Sequence, residues 1–332
     1  MSLITISKKS GKPKYKQIVS SIEKAIESGL LKKGDQIPSI NNLRDNFKLS
    51  RDTVINAFNE LKNRGIIHSI VGKGYYVSTE NIIFAQKFFL LFDELNSFKE
   101  DLYNSFVNSL DDTIQVDIFF HHFNRQTFQN HILNNFGNYS KYIIMPANLK
   151  DTNEIIAHLP ADKVYILDQT HKELEKYAAI YQNFEKDIFN SLTKAKSELL
   201  KYTKAILVFS SKIQPQGMKD GFLKFCDKNA MKNEIIETVE NRKLEKSEVY
   251  IIPDDRNLIR IIKKIEDEKL ILKKDIGIIS YNDSLLKEVV KGGITTISTD
   301  FNFMGKNLAK IINTKKVQKI ENPTKLILRN SL

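Results

Sequence analysis

Apolar residues recur at helical spacing three times within the first 65 residues of the chain. A first helix is predicted from steps of three and four between its apolar residues, which are Tyr15, Ile18, Ile22, Ala25 and Ile26. Ser39 can cap a short second helix and Ser50 a third, because serine oxygens accept hydrogen bonds from free backbone N–H groups. The apolar stripe of the third helix consists of Val54, Ala57, Phe58 and Leu61. This spacing leaves Arg51, Asp52, Thr53 and Asn56 on an exposed face.

A glycine-rich hairpin is predicted directly after the third helix. The segment "IIHSIVGKGYYV" holds two β-prone runs on either side of Gly72, Lys73 and Gly74. Glycines let the backbone approach another molecule closely, and Lys73 can contact a phosphate. Two short helices joined by a tight turn and followed by such a hairpin are typical of a winged helix-turn-helix, in which the second helix of the pair enters the major groove.

Beyond residue 80 the pattern changes to apolar runs that alternate with amphipathic segments. Strands are predicted at KFFLLFD, TIQVDIFFHH, KYIIMPAN, KVYILDQT, KAILVFSS, NEIIETVEN, SEVYIIPDD, DIGIISYND and KLILRNSL. Helices are predicted at about 97–110, 126–135, 152–158 and 184–201. This alternation indicates βαβ units with buried parallel strands, and the length of the segment fits two doubly wound lobes.

The net charge of +11 is concentrated in the N-terminal part of the chain. Residues 1–80 contain 14 Lys or Arg and 7 Asp or Glu, whereas the other 252 residues contain 37 and 33. A small basic module beside a large, nearly neutral one is expected for a nucleic-acid-binding domain joined to a domain of another kind. A lysine-rich solvated surface is the alternative explanation of the charge alone.

Cysteine content and the N-terminal sequence bear on localisation. Cys226 is the only cysteine of the sequence, which excludes an intrachain disulfide and a CxxC metal or redox site. The N-terminus lacks the apolar core of a signal peptide, and Gln86 and Lys87 interrupt the apolar run from Ile82 to Phe92. We therefore expect a cytoplasmic protein that does not associate with a membrane.

Three motifs follow one another between Pro13 and Val77. They are G-D-x-x-P-S at Gly34, Asp35, Pro38 and Ser39, S-R-x-T-V at Ser50, Arg51, Thr53 and Val54, and G-x-G at Gly72 and Gly74. In the order and spacing of these motifs the segment resembles the winged helix-turn-helix domain of GntR-family transcription regulators. The resemblance implies double-stranded operator DNA as a partner, contacted by Ser39, Ser50, Arg51, Thr53 and the wing.

Side-chain chemistry extends this set of expected DNA contacts. Arg51 can hold a phosphate or a guanine edge, and Asn56 can pair with adenine. The GntR family usually has arginine where this chain has Asn41, and often where it has Ile55, so a different base preference is expected. The expected DNA-binding residues are Ser39, Asn41, Arg44, Ser50, Arg51, Thr53, Asn56, Gly72, Lys73 and Gly74.

Polar residues at the ends of the predicted strands are candidates for ligand binding, because ligands of open α/β sheets lie beyond the carboxyl ends of the strands. These residues are Asp93, His121, His122, Asn124, Asp168, Ser210, Asp254 and Asp283. Asp and Asn side chains and aromatic faces at such ends suit a small polyhydroxyl molecule. His121 and His122 are neighbours on a strand and point to opposite faces, which argues against a shared metal site. We therefore expect neither a metal nor a cofactor.

The segment from Asp275 to Ile312 has a strand that ends in Tyr-Asn-Asp and a T-T-I-x-x-D-F sequence before a final helix. In these features and in element order, the chain beyond residue 80 resembles the periplasmic-binding-protein-like effector domain of LacI/GalR-type regulators. Residues 214–222 are similar to a region in which that family often has a sugar-contacting arginine, where this chain has Gln214 and Gln216. The resemblance implies effector contacts from Asp93, Gln214, Asp254, Asp283 and Thr299, with Gln216 beside Gln214, and strand-end placement adds His121 and Asn124.

Together these patterns predict an N-terminal winged helix (α+β) domain followed by a two-lobed, doubly wound α/β domain of the periplasmic-binding-protein-like type I. The expected boundaries are 1–78 for the DNA-binding domain, 79–86 for a linker and 87–332 for the effector-binding and dimerisation domain. Lobe 1 is expected at about 87–181 and 300–314, and lobe 2 at about 182–299 and 315–332.

The leading hypothesis is a transcription regulator that represses genes of carbohydrate uptake or catabolism and responds to a sugar or sugar phosphate. A homodimer is expected because one winged helix domain binds one half-site. The alternative is a sugar-modifying enzyme domain fused to a DNA-binding head, since a fold alone does not determine function. The sequence has no GxxxxGK[ST] phosphate loop, no GxSxG elbow and no metal-spaced His/Cys/Asp group, so no catalytic residue is assigned.

Overall fold

The computed structural model describes residues 3–7, 13–80, 86–314 and 317–332. The centre of the expected linker, residues 81–85, lies outside these ranges. By proximity of its residues the chain divides into two compact units. The first unit comprises Met1–Phe92, Ser109–Ile144 and Asp151–Tyr165, and the second comprises Asp93–Asn108, Met145–Lys150 and Ile166–Leu332.

The described part of the N-terminal segment contains three helices and three short strands, in agreement with a winged helix. The helices are α1 Lys14–Glu27, α2 Ile40–Phe47 and α3 Arg51–Asn63, and the strands are β1 Gln36–Ile37, β2 Ile67–Ile70 and β3 Gly74–Val77. The strands form an antiparallel sheet in the order β1-β3-β2, so the predicted hairpin is confirmed and β1 is added to it. The apolar stripes of the helices converge on one core that includes Ile18, Ile22, Leu43, Val54 and Leu61.

A first six-stranded sheet follows. Its strands are β4 Gln86–Phe92, β5 Ile114–Phe120, β6 Lys141–Ile144, β7 Val164–Asp168, β8 Ala178–Tyr181 and β14 Lys319–Glu321. The strand order is β14-β8-β7-β6-β4-β5, and β4 pairs in parallel with β5 and β6, as β14 does with β8. The helices between these strands include α4 Ser97–Val107, α5 Arg125–Asn134 and α6 Thr152–Ile156. Strands β4 to β7 confirm the predicted series, whereas β8 and β14 were not predicted.

A second six-stranded sheet is built from later residues. Its strands are β9 Lys204–Val208, β10 Lys232–Ile236, β11 Glu248–Ile252, β12 Ile276–Tyr281, β13 Thr295–Thr299 and β15 Thr324–Ile327, in the order β10-β9-β11-β12-β13-β15. All neighbours are parallel except β15, which is antiparallel to β13. The expectation of parallel strands throughout is therefore wrong for "KLILRNSL". Although α12 lies between β13 and β15 along the chain, β15 is entered directly from β14 of the first sheet, from which only two residues separate it.

The helices of this later part are α7 Phe184–Lys194, α8 Lys196–Leu199, α9 Gln216–Lys228, α10 Asp255–Asp267, α11 Leu285–Val289 and α12 Phe301–Ile312. The single long helix expected at 184–201 is instead two helices, because Ala195 between them has φ −88° and ψ 7°, in the bridge region rather than the helical region. Among the described residues, no helix combines the length and the apolar character that crossing a bilayer requires.

The C-terminal residues 317–332, which were expected in lobe 2, contribute one strand to each six-stranded sheet. β14, at residues 319–321, pairs with β8 of the first sheet, and only β15, at 324–327, joins the second sheet. Asn322 between them holds the chain in place, because its N–H donates to Tyr181 O at 2.7 Å and its side chain donates to Asp300 O at 3.0 Å. The chain thus enters the second sheet after β14.

The second sheet is buried on both faces, which explains the continuous apolar runs of its strands. Alternate residues of β9 enter two separate apolar clusters, with Ala205 and Leu207 in one and Ile206 and Val208 in the other. All six residues of β12 are buried. Because both faces are covered, polar side chains with access to a ligand are confined to the residues that follow the strands.

Candidate DNA-binding surface and effector cavity

The turn between α2 and α3 sets the start and direction of the third helix. Ser39 Oγ accepts a hydrogen bond from Asn42 N at 3.2 Å, and Ser50 Oγ accepts one from Thr53 N at 3.2 Å. Lys48 ends α2 in a left-handed conformation with φ 48°. Both helices therefore begin at the caps that the sequence predicted.

α3 has one buried and one exposed face. Its buried residues include Val54, Ala57, Phe58 and Leu61, the predicted stripe. Arg51 and Asn56 are exposed, whereas Thr53 is half-buried and its Oγ1 lies 2.7 Å from Ser50 Oγ. The exposed face presents a guanidinium and a carboxamide, the two groups that form paired hydrogen bonds with guanine and adenine edges.

The remaining expected DNA contacts around this helix differ in their surroundings. Asn41 on α2 is exposed, and Ile55 on α3 is half-buried. Arg44 donates to Asp45 Oδ1 at 2.8 Å, and this hydrogen bond lowers the pKa of the Asp45 carboxyl. A phosphate at Arg44 must therefore compete with Asp45 for the same guanidinium.

Gln36, which was not among the residues predicted to matter for the hairpin, bonds to the backbone at the hairpin tip. Gly72 and Gly74 have φ 74° and 114°, a left-handed backbone that favours glycine. Lys73 O accepts hydrogen bonds from Gln36 Nε2 at 2.7 Å and from Tyr76 Oη at 3.3 Å. Gln36 belongs to β1, which was not predicted, so its role depends on strand pairing. The Lys73 residue itself is exposed at the tip of the wing.

A polar cavity of about 620 Å³ lies within the second compact unit. It is lined by residues that follow four different strands. Asn148 follows β6, Gln169 and Thr170 follow β7, Gln182 follows β8, and Gln214 lies beyond β9. The volume is in the range of small-molecule sites, and the position at strand ends is where open α/β sheets bind ligands.

Two of the eight expected effector residues, Gln214 and Gln216, line this cavity. Gln214 Oε1 accepts a hydrogen bond from Ser210 N, and Gln214 O accepts one from Asn148 Nδ2, both at 2.5 Å. Gln216 Nε2 donates to Asp220 Oδ1 at 2.8 Å. These bonds fix the start of α9 on the cavity wall.

Gln182 also lines the cavity and was not among the expected residues. Its Nε2 donates to Asp168 Oδ1 at 2.5 Å, and its Oε1 accepts from Tyr281 Oη at 3.0 Å and from Thr299 Oγ1. The carboxamide thus connects the end of β7 with β12 and β13. Because strand β8 was not predicted, the position of Gln182 at a strand end could not be recognised from the sequence.

Lys99 lies between two buried carboxylates beside this network. Its Nζ is 3.4 Å from Asp93 Oδ1 and 3.8 Å from Asp168 Oδ2. Burial lowers the pKa of Lys99, but Asp168 and Asp93 outweigh that effect and the pKa is raised. Burial raises the pKa of Asp168, and the charge of Lys99 opposes it only in part. The expected effector residue Asp93 is therefore engaged by a lysine.

Two further expected effector residues cap helices. Asp254 Oδ1 accepts from Asn257 N at 2.8 Å at the start of α10. Asn124 Oδ1 accepts from Thr127 N at 2.9 Å at the start of α5. Each side chain satisfies a backbone group that would otherwise lack a partner within its helix.

The last three expected effector residues are half-buried or buried and lie among protein neighbours. Asp283 forms a double hydrogen bond with Arg329, at 2.6 and 2.8 Å. Thr299 Oγ1 donates to Gln182 Oε1, which brings it one residue away from the cavity wall. His121 is buried, with its ring centroid 5.3 Å from that of Phe128. Thr299 is thus connected to the cavity wall through Gln182, whereas Asp283 and His121 are not among the described residues that line the cavity.

The fold defines a winged helix joined to a two-sheet α/β region, and comparison with known proteins agrees with both parts. Residues 14–77 match the model of the family "Bacterial regulatory proteins, gntR family", so this segment is a GntR-type winged helix domain. The chain is 34% identical over 76 residues to the HTH-type transcriptional repressor YtrA of Bacillus subtilis, which covers 23% of this chain and 58% of YtrA. It is 41% identical over 71 residues to the mannosyl-D-glycerate transport/metabolism system repressor MngR of Escherichia coli, covering 21% and 30%.

The two-sheet region is similar in fold to LacI-family regulators. The structure of the lac repressor dimer bound to operator and the anti-inducer ONPF aligns with a TM-score of 0.60 over 74% of this chain and 93% of that chain, at 14% identity. At this identity the likeness concerns the fold. Since the matches to YtrA and MngR cover 58% and 30% of those proteins, they concern the DNA-binding segment.

Proposed function

We propose that this chain is a transcription regulator that binds operator DNA through α3 and the wing, and that a small polyhydroxyl ligand in the cavity changes its affinity for DNA. The observation that carries the proposal is the exposed face of α3, on which Arg51 and Asn56 project from a helix whose other face is buried and whose start is capped. A protein that only needed this helix for stability would gain nothing from that pair of side chains.

The relatives support repression as the direction of regulation. YtrA and MngR are both named repressors, and their similarity to this chain lies in the DNA-binding segment. The excess of Lys and Arg in residues 1–80 adds a sequence-independent attraction to the phosphates of DNA. We propose contacts from the wing residue Lys73 to phosphate and from Arg51 and Asn56 to base edges.

The cavity supports a ligand of the carbohydrate type. Its walls combine carboxamides with the rings of Tyr181 and Phe184, a combination that suits hydroxyl groups and the apolar faces of a sugar ring. The name of MngR refers to mannosyl-D-glycerate metabolism, and the lac repressor was solved with a small anti-inducer. We propose that the cavity binds such a molecule and does not transform it, since these similar proteins are regulators.

We propose that the chain acts as a homodimer. One α3 contacts one half-site, and two half-sites one helical turn apart, about 34–36 Å from centre to centre, require two copies. The lac repressor structure, similar in fold, is described as a dimer on its operator. If ligand and operator favour different states of the dimer, each must weaken the binding of the other by the same factor.

The DNA-binding part is tested by a mobility-shift measurement. Wild-type protein first selects its preferred duplex from a random-sequence pool, and the affinity of Arg51→Ala for that duplex is then measured. Loss of a bidentate base contact costs about 1–3 kcal/mol, so we expect roughly ten- to a hundredfold weaker binding. Lys24→Ala, which removes an exposed charge from α1, is the matched control and should change affinity far less. Equal effects of the two variants would contradict the assignment of α3.

A further inference from the structure

The described wall of the cavity contains many carboxamides and no lysine or arginine, and its histidine, His171, is bonded to Glu173. Of the sixteen described residues that line it, six are Asn or Gln and none is Lys or Arg. A carboxamide both donates and accepts hydrogen bonds, as a sugar hydroxyl does. A phosphate group carries a charge of about −1.5 to −2 at pH 7 and is held in proteins by Arg and Lys. The wall therefore matches hydroxyl groups and lacks the partners of a phosphate.

The charged groups near the cavity also argue against a phosphate as the ligand. Glu185 lines the wall, and its carboxylate is 2.7 Å from Lys224 Nζ. Gln182, on the wall, is bonded to Asp168. The carboxylates of Asp168 and Asp93 both lie near the ammonium group of Lys99. Lys99 and Lys224 are thus already paired with carboxylates, so neither offers its ammonium to an anionic ligand without losing such a pair.

Two helix N-termini on the wall favour anions and must be weighed against the other features. α9 reaches the cavity at Gln216 and Gly217 and α7 at Phe184 and Glu185, and a helix N-terminus carries roughly half a positive charge. The first turn of α7 contains the acidic residues Glu185 and Asp187. The first turn of α9 contains no acidic residue. About half a positive charge at a helix end does not replace the guanidinium or ammonium groups that usually hold a phosphate.

A buried hydroxyl on the wall lacks a partner. Thr170 Oγ1 is inaccessible to solvent and forms no hydrogen bond within the part of the chain that the structure describes. Leaving such a group unbonded is unfavourable, and because Thr170 is half-buried on the wall, rotation of its side chain about χ1 brings the hydroxyl within reach of a ligand hydroxyl and removes this cost. The wall therefore offers a specific point of attachment for an uncharged polar ligand.

We propose that the ligand of this cavity is a neutral, unphosphorylated polyhydroxyl molecule of the saccharide class, and that the cavity discriminates against the phosphorylated form of the same molecule. The inference rests on the proposed function, because it names the class of effector for that site. The proposed discrimination is between a neutral sugar and its phosphate ester, which carry the same sugar ring.

Matched pairs of compounds test the proposal on the full-length protein. The probes are glucose, fructose, mannose, ribose and trehalose, each beside its monophosphate, with dissociation constants measured by calorimetry at pH 7.5. We expect at least one neutral member to bind, and to bind at least tenfold more tightly than its phosphate. A phosphate that binds as tightly as its neutral partner, or more tightly, overturns the proposal. So does the absence of binding by both members of every pair.

Two variants show whether the selective ligand occupies this cavity. Thr170→Val keeps the shape of the side chain and removes the unbonded hydroxyl, and we expect at least fivefold weaker binding of the neutral sugar. Thr193→Val, at an exposed position of α7, is the matched control and should bind as the wild type does. Gln216→Lys adds a cation to the wall and should reduce the preference for the neutral form at least fivefold. Unchanged affinity in Thr170→Val, or unchanged preference in Gln216→Lys, counts against the proposal.

Failure of this proposal and failure of the proposed function give different results. If a phosphorylated sugar binds in preference to the neutral sugar and changes the affinity for operator DNA, the proposed regulatory function is supported and the proposed ligand class is wrong. If a neutral sugar binds the cavity selectively but selected DNA is bound equally with and without it, the ligand class stands and the coupling to DNA is wrong.

Discussion

The candidate base-contacting residues of α3 are exposed, whereas most candidates in the two-sheet region are hydrogen-bonded to other residues of the protein. On α3, Arg51 and Asn56 project into solvent. In the two-sheet region, Asp254 caps α10 and Asp283 is held by Arg329. A groove of DNA is a large external partner that approaches an exposed helix, whereas a small ligand competes with neighbouring side chains for each polar group. In the DNA-binding segment, exposure therefore indicates which residues bind the partner. In the two-sheet region, the existing hydrogen bonds indicate which polar groups are already engaged.

The largest expected effect concerns the buried charges of the two-sheet region. Lys99→Met leaves Asp93 and Asp168 without their cation, and removing one partner from a buried ion pair costs about 3–5 kcal/mol. We expect this loss in the free energy of unfolding, measured by urea denaturation followed by circular dichroism. Lys263→Met, an exposed position on α10, is the control. Recovery of stability in the double variant Lys99→Met with Asp168→Asn would identify the carboxylate as the cause, and a loss below about 1 kcal/mol would contradict the comparison.

A smaller loss is expected when the shared carboxamide is removed. Gln182→Leu leaves Asp168, Tyr281 and Thr299 each without one hydrogen-bond partner, at a cost of about 1–3 kcal/mol. The same urea measurement checks it. Gln126→Leu on α5, where the side chain is exposed, should be nearly neutral. If both leucine variants are equally stable, the network around Gln182 contributes nothing and the contrast between the two regions is weaker.

On the DNA-binding segment the expected effect is local and modest. Ser50→Ala removes the cap of α3 and costs about 1 kcal/mol, whereas Ser50→Gly costs only a few tenths. A change of 1 kcal/mol corresponds to roughly fivefold faster exchange of the amide hydrogens in the first turn of α3. Hydrogen-exchange mass spectrometry of the full chain measures this rate. Equal exchange in the alanine and glycine variants would exclude the cap as the cause.

The smallest effect is expected at the partly exposed pair of Asp283 and Arg329. Burial raises the pKa of Asp283, but hydrogen bonds from Arg329 and Thr296 outweigh it and lower the pKa below 3.8. The pair therefore stabilises the folded state above pH 3.8, and this contribution disappears as the pH falls through the lowered pKa.

Asp283→Asn removes this pH-dependent contribution. We expect a loss of about 1 kcal/mol or less at pH 7 and a flatter decline in stability below about pH 4. Urea midpoints between pH 7 and pH 3 measure it. Asp101→Asn, on the exposed face of α4, is the control. A variant that declines with pH as steeply as the wild type would show that other carboxylates dominate the acid response.

The local features of the DNA-binding segment were predicted well from its sequence. Caps at Ser39 and Ser50 and the stripe of α3 depend on residues three or four positions apart, and helical geometry alone relates such residues. β1 was missed because two residues are too few for a periodic pattern, and with it the contact of Gln36 with the wing. Strand pairing, which connects distant residues, decided that contact.

In the two-sheet region the alternation of strands and helices was predicted, and the content of the cavity was not. Gln214 and Gln216 lie on its wall, but Asp254 and Asn124 cap helices. A polar residue after a strand has the same local pattern whether it caps the next helix or faces a ligand. Gln182 escaped notice because β8, the strand before it, has only four residues.

By itself the sequence determined the helices, most strands and the exposed face of α3, because these depend on periodicity and on neighbours within a few residues. Only the tertiary structure decided which polar groups already have partners. Gln182 bonds to Thr299, which is 117 residues away, and Asp283 to Arg329, which is 46 residues away. Such bonds depend on the path of the whole chain, and they determine which wall of the protein remains open to a ligand.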